Sequence, residues 1–118
     1  MDIFCRIING EVPSYTIYED EIVKVFLDVN PRSNGHSLII PKKHYLDLDD
    51  IDQNTLNHIM EVSKIIKKKL EDKLGCNGVM LVQNNGEIQE VKHYHLHLIP
   101  NYEDNKLIEV KEVYDKLK

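Results

Sequence analysis

The chain predicts an α+β fold: a mostly antiparallel five-stranded sheet with one long amphipathic helix and a short N-terminal helix. Two observations carry this. Only one stretch, residues 54–74, repeats apolar residues at helical spacing over many turns, while the other apolar segments are short and bounded by Gly, Pro, Asn or Asp. Strands also precede and follow that helix without regular strand–helix alternation, which disfavours a doubly wound parallel sheet. With 118 residues and no repeat, linker or low-complexity tract, the chain reads as a single unit over 1–118, its core spanning about 2–100.

Taken in order, Ile3, Phe4, Ile7 and Ile8 recur at helical spacing and stop at Asn9-Gly10, a left-handed terminator. Tyr15 to Tyr18 and Ile22 to Val29 are rich in β-branched and aromatic residues and flank Glu19-Asp20-Glu21, the pattern of a hairpin. Asn30 to Gly35 reads as a loop, and Gly35 to Pro41 as a third strand closed by a proline that cannot continue the ladder. His36 would share a face with Leu38 and Ile40 at the start of that strand, beside a cleft.

In the long helix, Leu56, Ile59, Met60, Ile66, Leu70 and Leu74 form the apolar stripe, with Asp52 as N-cap and Gly75 just past the end. Lys67, Lys68 and Lys69 spread around its circumference and read as a solvated face near the negative helix end, and His58 as a surface residue without a role. Val79 to Gln83 makes a fourth strand, Asn84-Asn85-Gly86 a turn, and Val91 to Ile99 the fifth strand. The charged tail, residues 101–118, is assigned no element.

Composition narrows the function classes. A net charge of −5 argues against a nucleic-acid backbone as partner, which demands a basic face, while leaving room for a small phosphorylated ligand held by a few local donors. No apolar run approaches the ~18 residues of a bilayer span. The start Met1-Asp2-Ile3-Phe4 lacks a signal-peptide layout, so the expected compartment is the cytoplasm, with Cys5 and Cys76 as reduced thiols.

The most informative segment is Val91-Lys92-His93-Tyr94-His95-Leu96-His97-Leu98-Ile99-Pro100, in which histidines occupy alternate positions. On a strand this puts three imidazoles on one face and Tyr94, Leu96 and Leu98 on the other, buried one. Same-face neighbours lie about 6.5–7 Å apart, too far for all three to ligate one ion at about 2.0–2.1 Å without strong convergence. Covalent catalysis fits better: the middle imidazole attacks an electrophile, with phosphorus favoured, while its neighbours bind or protonate the rest.

His93-x-His95-x-His97 followed by Leu98-Ile99 resembles the signature of the histidine triad (HIT) family. The likeness extends in order through residues 2–100: the opening Ile3 to Ser14, Tyr18-Glu19-Asp20, Phe26 to Pro31, and Gly35-His36-Ser37-Leu38-Ile39-Ile40-Pro41-Lys42-Lys43-His44. It is greatest to the phosphoramidase branch and its bacterial-type relatives. The resemblance implies a HIT-like fold and a homodimeric hydrolase that cleaves purine nucleoside phosphoramidates through a nucleotidyl-histidine intermediate, with AMP as product and no cofactor required for catalysis. A dinucleoside polyphosphate hydrolase and a non-catalytic nucleotide-binding or interaction protein remain the alternatives.

By the same resemblance His95 matches the nucleophile, His97 the residue at phosphate and leaving group, and His93 and His36 the histidines that orient them. Asp28 matches the acid that binds ribose hydroxyls, while Asn84 and Gln89 match positions on the phosphate side. Ile3, Phe4, Ile7, Phe26 and Val29 match the apolar slot for the base, although core packing alone would also explain Ile7 and Val29. Two features depart from the family pattern. The loop holds only Glu87-Ile88 between Gly86 and Gln89, and Glu90 stands where better-studied relatives have a serine at phosphate, so activity is expected to be weaker or differently selective. Several relatives also bind structural zinc through a Cys-x-x-Cys pair and two histidines. Here Asp2 replaces the first cysteine, leaving Asp2, Cys5, His44 and His93 as a mixed candidate set.

Overall fold

The computed structural model describes all residues 1–118. The elements run α1 (Ile3–Ile8), β1 (Thr16–Glu19), β2 (Val23–Leu27), β3 (Ser37–Pro41), α2 (Gln53–Leu74), β4 (Gly78–Val82), a 3₁₀ turn (Gly86–Ile88), β5 (Leu96–Asn101) and α3 (Val110–Leu117). The strands form one antiparallel sheet in the order β1-β2-β3-β5-β4.

Local chemistry explains the boundaries. Asp2 caps α1 by accepting the Cys5 N–H at 2.9 Å, and Asp52 caps α2 by accepting the Thr55 N–H at 2.8 Å. Gly75 ends α2 at φ +69°, a left-handed position that glycine adopts without a Cβ penalty. In the β1–β2 turn Asp20 accepts the backbone N–H groups of Ile22 and Val23. Its second oxygen accepts the Tyr18 hydroxyl and His58 Nε2, 2.7 Å away, so His58 ties α2 to the hairpin. Burial opposes ionisation of Asp20, but these hydrogen bonds prevail and hold its carboxyl down at about 2.

Strand alternation divides the sheet into two faces. Val23, Val25, Leu27, Ile39, Leu96 and Leu98 meet Ile59, Val62, Ile66 and Leu70 of α2 in the main core. Phe26, Leu38 and Ile40 face the other way and meet Phe4 and Ile7 of α1 in a smaller cluster. His97 pairs with Leu38 across the β3–β5 ladder and belongs to this second face.

Three expectations change. The fifth strand begins at Leu96, so of the three alternating histidines only His97 is in the sheet. Pro41, at the end of β3, has no N–H to offer a continuing partner, and its carbonyl accepts His93 Nε2–H at 2.9 Å instead. Residues 91–95 turn away: the His93 N–H bonds the Val91 carbonyl, and the Tyr94 N–H bonds the Tyr45 carbonyl. Met60, expected in the helix stripe, is 43% exposed, and Val62 and Ser63 take the inward positions. The tail supplies α3, whose Val113 and Leu117 are buried in the main core four residues apart on one helix face.

Candidate active site

The second face of the sheet opens into a cleft with two lobes. One is polar, about 290 Å³, lined by Asp28, Asn30, Arg32, His36, Asn84, Glu90, His95 and His97. The other, about 240 Å³, is largely apolar: Ile3, Phe4 and Ile7 from α1, Phe26 from β2, and Val29, Leu38 and Val91 line it. Asp28, Asn30, Glu90, His95 and His97 border both lobes. Together the lobes match the size of small-molecule sites, roughly 300–1,000 Å³, and pair an apolar surface with a few convergent polar groups.

Hydrogen bonds fix the imidazoles. His95, 5% exposed, donates Nδ1–H to the His93 carbonyl at 2.7 Å, which leaves the Nε2 lone pair free. Its ring lies edge-on to Phe4, with centroids 4.9 Å apart. The Arg32 N–H donates to His36 Nδ1 at 3.1 Å, so the neutral His36 carries its proton on Nε2 and donates to His97 Nδ1 at 2.9 Å. His97 in turn keeps a proton on Nε2, whose own partner must come from the cleft. Desolvation lowers the pKa of His36 and His95. It also pushes His97 down to about 4, helped by the neighbouring His95 and His36. At neutral pH the cleft therefore pairs a lone-pair imidazole with a donor imidazole, their ring centroids 4.9 Å apart.

Among the remaining site residues expected from sequence, His93 is fully buried behind His95 and does not line the cleft, while Asn84 and Asp28 do. Asp28 Oδ2 lies 3.7 Å from His36 Nε2, and its Oδ1 accepts the Asn30 N–H. Gln89 is buried away from both lobes and donates its amide to the Leu46 carbonyl, so its side chain serves the loop rather than the cleft. Asn30 and Arg32 were not anticipated. Their only sequence signal is the polar Asn30-Pro31-Arg32 run directly after Asp28. Glu90 borders both lobes and forms no ion pair.

Behind the cleft the N-terminal set converges. Asp2 Oδ2 lies 3.2 Å from His93 Nδ1, 3.2 Å from His44 Nε2 and 3.6 Å from Cys5 Sγ, and Cys5 Sγ lies 3.6 Å from His93 Nδ1. Zinc bonds of about 2.0–2.3 Å in a tetrahedron imply ligand separations of roughly 3.3–3.7 Å, which these distances match closely. Because His93 Nε2–H is committed to Pro41, its Nδ1 lone pair faces a carboxylate oxygen, a contact that requires a proton or a metal ion between them. Burial and the adjacent Asp2 charge push the Cys5 thiol up, so a thiolate there needs a cation. His44 Nε2 also lies 2.7 Å from the Lys92 carbonyl, a hydrogen bond that metal ligation would replace. Asp2, His44 and His93 draw together into one group that fits a metal ion, and Cys5 reaches two of its members, Asp2 and His93.

With His97 in the sheet, His95 just ahead of it and a short helix behind both, the arrangement is that of a histidine-triad α+β domain, as the comparisons bear out. The HIT domain model matches residues 9–104. An uncharacterised HIT-like protein of Methanocaldococcus jannaschii is 48% identical, over 96% of this chain and 89% of its own length. The adenosine 5′-monophosphoramidase of Saccharomyces cerevisiae is 43% identical, over 86% of this chain and 63% of its own length. A zinc-bound histidine triad family protein from Mycobacterium smegmatis superposes with a TM-score of 0.90 at 33% identity, covering 98% of this chain and 88% of that one. The chain belongs to the HIT family.

Proposed function

We propose that this protein hydrolyses purine nucleoside phosphoramidates through a nucleotidyl-His95 intermediate. The observation that carries the reading is the His95 imidazole, held by the His93 carbonyl with its Nε2 lone pair free where the apolar and polar lobes meet. The base lies in the apolar lobe against Phe4 and Phe26, and Asp28 accepts hydrogen bonds from the ribose hydroxyls.

His95 Nε2 attacks phosphorus and the P–N bond breaks, its electron pair leaving with nitrogen. The departing nitrogen accepts a hydrogen bond from His97 Nε2–H and takes a proton from solvent, leaving as the amine. Water then attacks phosphorus, the electron pair of the His95–phosphorus bond returns to Nε2, and the water proton passes to solvent as AMP is released.

The charge of the polar lobe favours an amine over a polyphosphate as leaving group. With neutral imidazoles, the carboxylates of Asp28 and Glu90 outnumber the single Arg32 guanidinium, a poor setting for further phosphates and a good one for an amine that becomes cationic on release. The test is burst-phase hydrolysis of a fluorogenic adenosine phosphoramidate, in competition with diadenosine polyphosphate. His95→Ala is expected to lose at least about 10³-fold in turnover while binding AMP within a few-fold of wild type. A wild type that binds AMP but shows no turnover would transfer the assignment to the non-catalytic nucleotide-binding alternative, and preferential cleavage of the dinucleotide to the polyphosphate hydrolase.

We also propose that Asp2, Cys5, His44 and His93 hold a structural zinc ion. Such an ion would tie α1 to the segment whose carbonyl orients His95. Elemental analysis of protein purified without a histidine tag is expected to give about one zinc per chain, and less than a tenth of that would remove the idea. A homodimer is supported by edge strand β4, where Met80 is 53% and Leu81 40% exposed beside a free ladder edge. No helix is long and apolar enough to cross a membrane, and the free thiols Cys5 and Cys76 support a reducing, cytoplasmic setting.

A further inference from the structure

The loop between β2 and β3 delivers four of the eight residues lining the polar lobe, Asp28, Asn30, Arg32 and His36. A nine-residue loop has many conformations, and its backbone does more here than connect strands. The Arg32 N–H decides which nitrogen of His36 carries the proton, and that choice decides which nitrogen of His97 faces the cleft with a hydrogen. Displacement of Arg32 by an ångström would free His36 to adopt the other tautomer and reverse the donor order of the pair.

What holds the loop lies far along the chain. The Tyr102 hydroxyl donates to the Asn34 carbonyl at 2.5 Å, Asn34 Nδ2–H donates to the Lys106 carbonyl at 2.8 Å, and the Ile108 N–H donates to Asn34 Oδ1 at 3.0 Å. Asn105 Nδ2–H donates to the Arg32 carbonyl at 2.9 Å. Ser33 Oγ–H, buried, donates to the Pro100 carbonyl at 2.6 Å. Asn34 is bound at both side-chain atoms and its carbonyl by the segment leading into α3. From the opposite side, Gly35 sits at φ +93°, where an added Cβ would lie 2.5 Å from Leu74 Cδ1, so α2 presses on the next residue.

We propose that the segment Tyr102–Ile108 is a strap that positions the catalytic imidazoles, with Asn34 as its positioning residue. The inference rests on the hydrolase reading only for its kinetic consequence. The strap holds Arg32, Arg32 holds His36 in the Nε2–H form, and His36 keeps His97 as a donor toward the leaving group. Opening it raises the cost of leaving-group departure, while Phe4 and Ile7 of α1, Phe26 of β2 and Leu38 of β3, which lie outside the strapped loop, keep the body of the apolar lobe in place.

The experiment combines imidazole ¹⁵N NMR, burst kinetics and AMP binding on Asn34→Ala, Asn34→Asp and Tyr102→Phe, with Ile66→Ala as a control that weakens the main core without touching the strap. Asn34→Ala is expected to slow the burst about tenfold, to leave AMP affinity within about twofold, and to mix the tautomers of His36 and His97. Asn34→Asp keeps the acceptor for Ile108 and loses the donor to Lys106, so it falls between Asn34→Ala and wild type, and Tyr102→Phe gives a smaller effect of the same kind. Ile66→Ala lowers the melting temperature while keeping wild-type tautomers and burst. If Asn34→Ala and Tyr102→Phe also keep wild-type tautomers and lose only stability, the strap proposal is overturned. Should Asn34→Ala fail to fold, Tyr102→Phe carries the same test. The NMR arm decides the strap even in a protein without turnover, whereas a silent wild type overturns only the hydrolase reading.

Discussion

The two faces of the sheet share five strands and divide the labour between them. Toward α2 and α3 the strands contribute to a continuous apolar core of 15 buried residues, and no residue there has a chemical task. Toward α1 the same strands contribute to a cluster of only five buried residues, with the cleft and its imidazoles beside it. Adjacent residues Leu96, His97 and Leu98 show the division within one strand, two packed in the core and one in the cleft. Stability and chemistry can thus be altered nearly independently, because successive side chains on a strand point in opposite directions.

Substitutions on each face test this separation. Ile66→Ala, on a side chain 1% exposed beneath the first face, is expected to cost about 3 kcal/mol in urea unfolding and to leave the KM for the proposed phosphoramidate substrate unchanged. A changed KM would break the comparison by showing that the core sets the cleft geometry. Phe4→Ala, on the second face, is expected to cost about 2 kcal/mol, below the usual range for a buried phenylalanine because its neighbours open into a cleft. It should also raise KM several-fold and loosen His95, whose ring it packs against.

The smallest effect is that of pH, and above the carboxylate range it belongs to the imidazoles of the second face. In the folded chain His97 titrates at about 4, against about 6.5 unfolded, so the unfolded state binds more protons between those values. Stability is therefore full above about pH 6.5 and declines as pH falls through about 4, with His36 and His95 displaced in the same direction. The urea midpoint should follow that decline, and His97→Gln should flatten it. A wild-type midpoint that is constant between pH 7 and 4 would contradict the desolvated, neutral state assigned to this imidazole.

Much of this architecture is legible in order along the chain. Asp52 and Gly75 bracket α2, Asn9-Gly10 stops α1, and Pro41 closes β3, because caps and breakers act on neighbours a few residues away. The alternation of His93, His95 and His97 against Tyr94, Leu96 and Leu98 marks the segment where burial and chemistry meet. The mistaken start of the fifth strand shows the limit of such reading: alternation predicts which side each residue faces, but a ladder also needs a partner, and Pro41 ends the available one. Val113 and Leu117 belong to the charged tail to which the sequence assigns no element, because nothing local says what they cover.

From residue order alone come the long helix, the first four strands, the identity of the imidazoles and the expectation of phosphorus chemistry, since periodicity and side-chain chemistry are local properties. Tertiary structure completes the assignment of which imidazole nitrogen is free. His95 and His36 each have one partner close by in the chain, the His93 carbonyl and the Arg32 N–H, but His36 and His97 lie 61 residues apart and His93 and Pro41 lie 52 apart. It also decides that Asn34, a plain loop residue in the sequence, is grasped by a segment more than 65 residues further on. Along these long-range pairs, hydrogen-bond direction depends on atoms brought within about 3 Å by folding, and no local window of sequence contains both members.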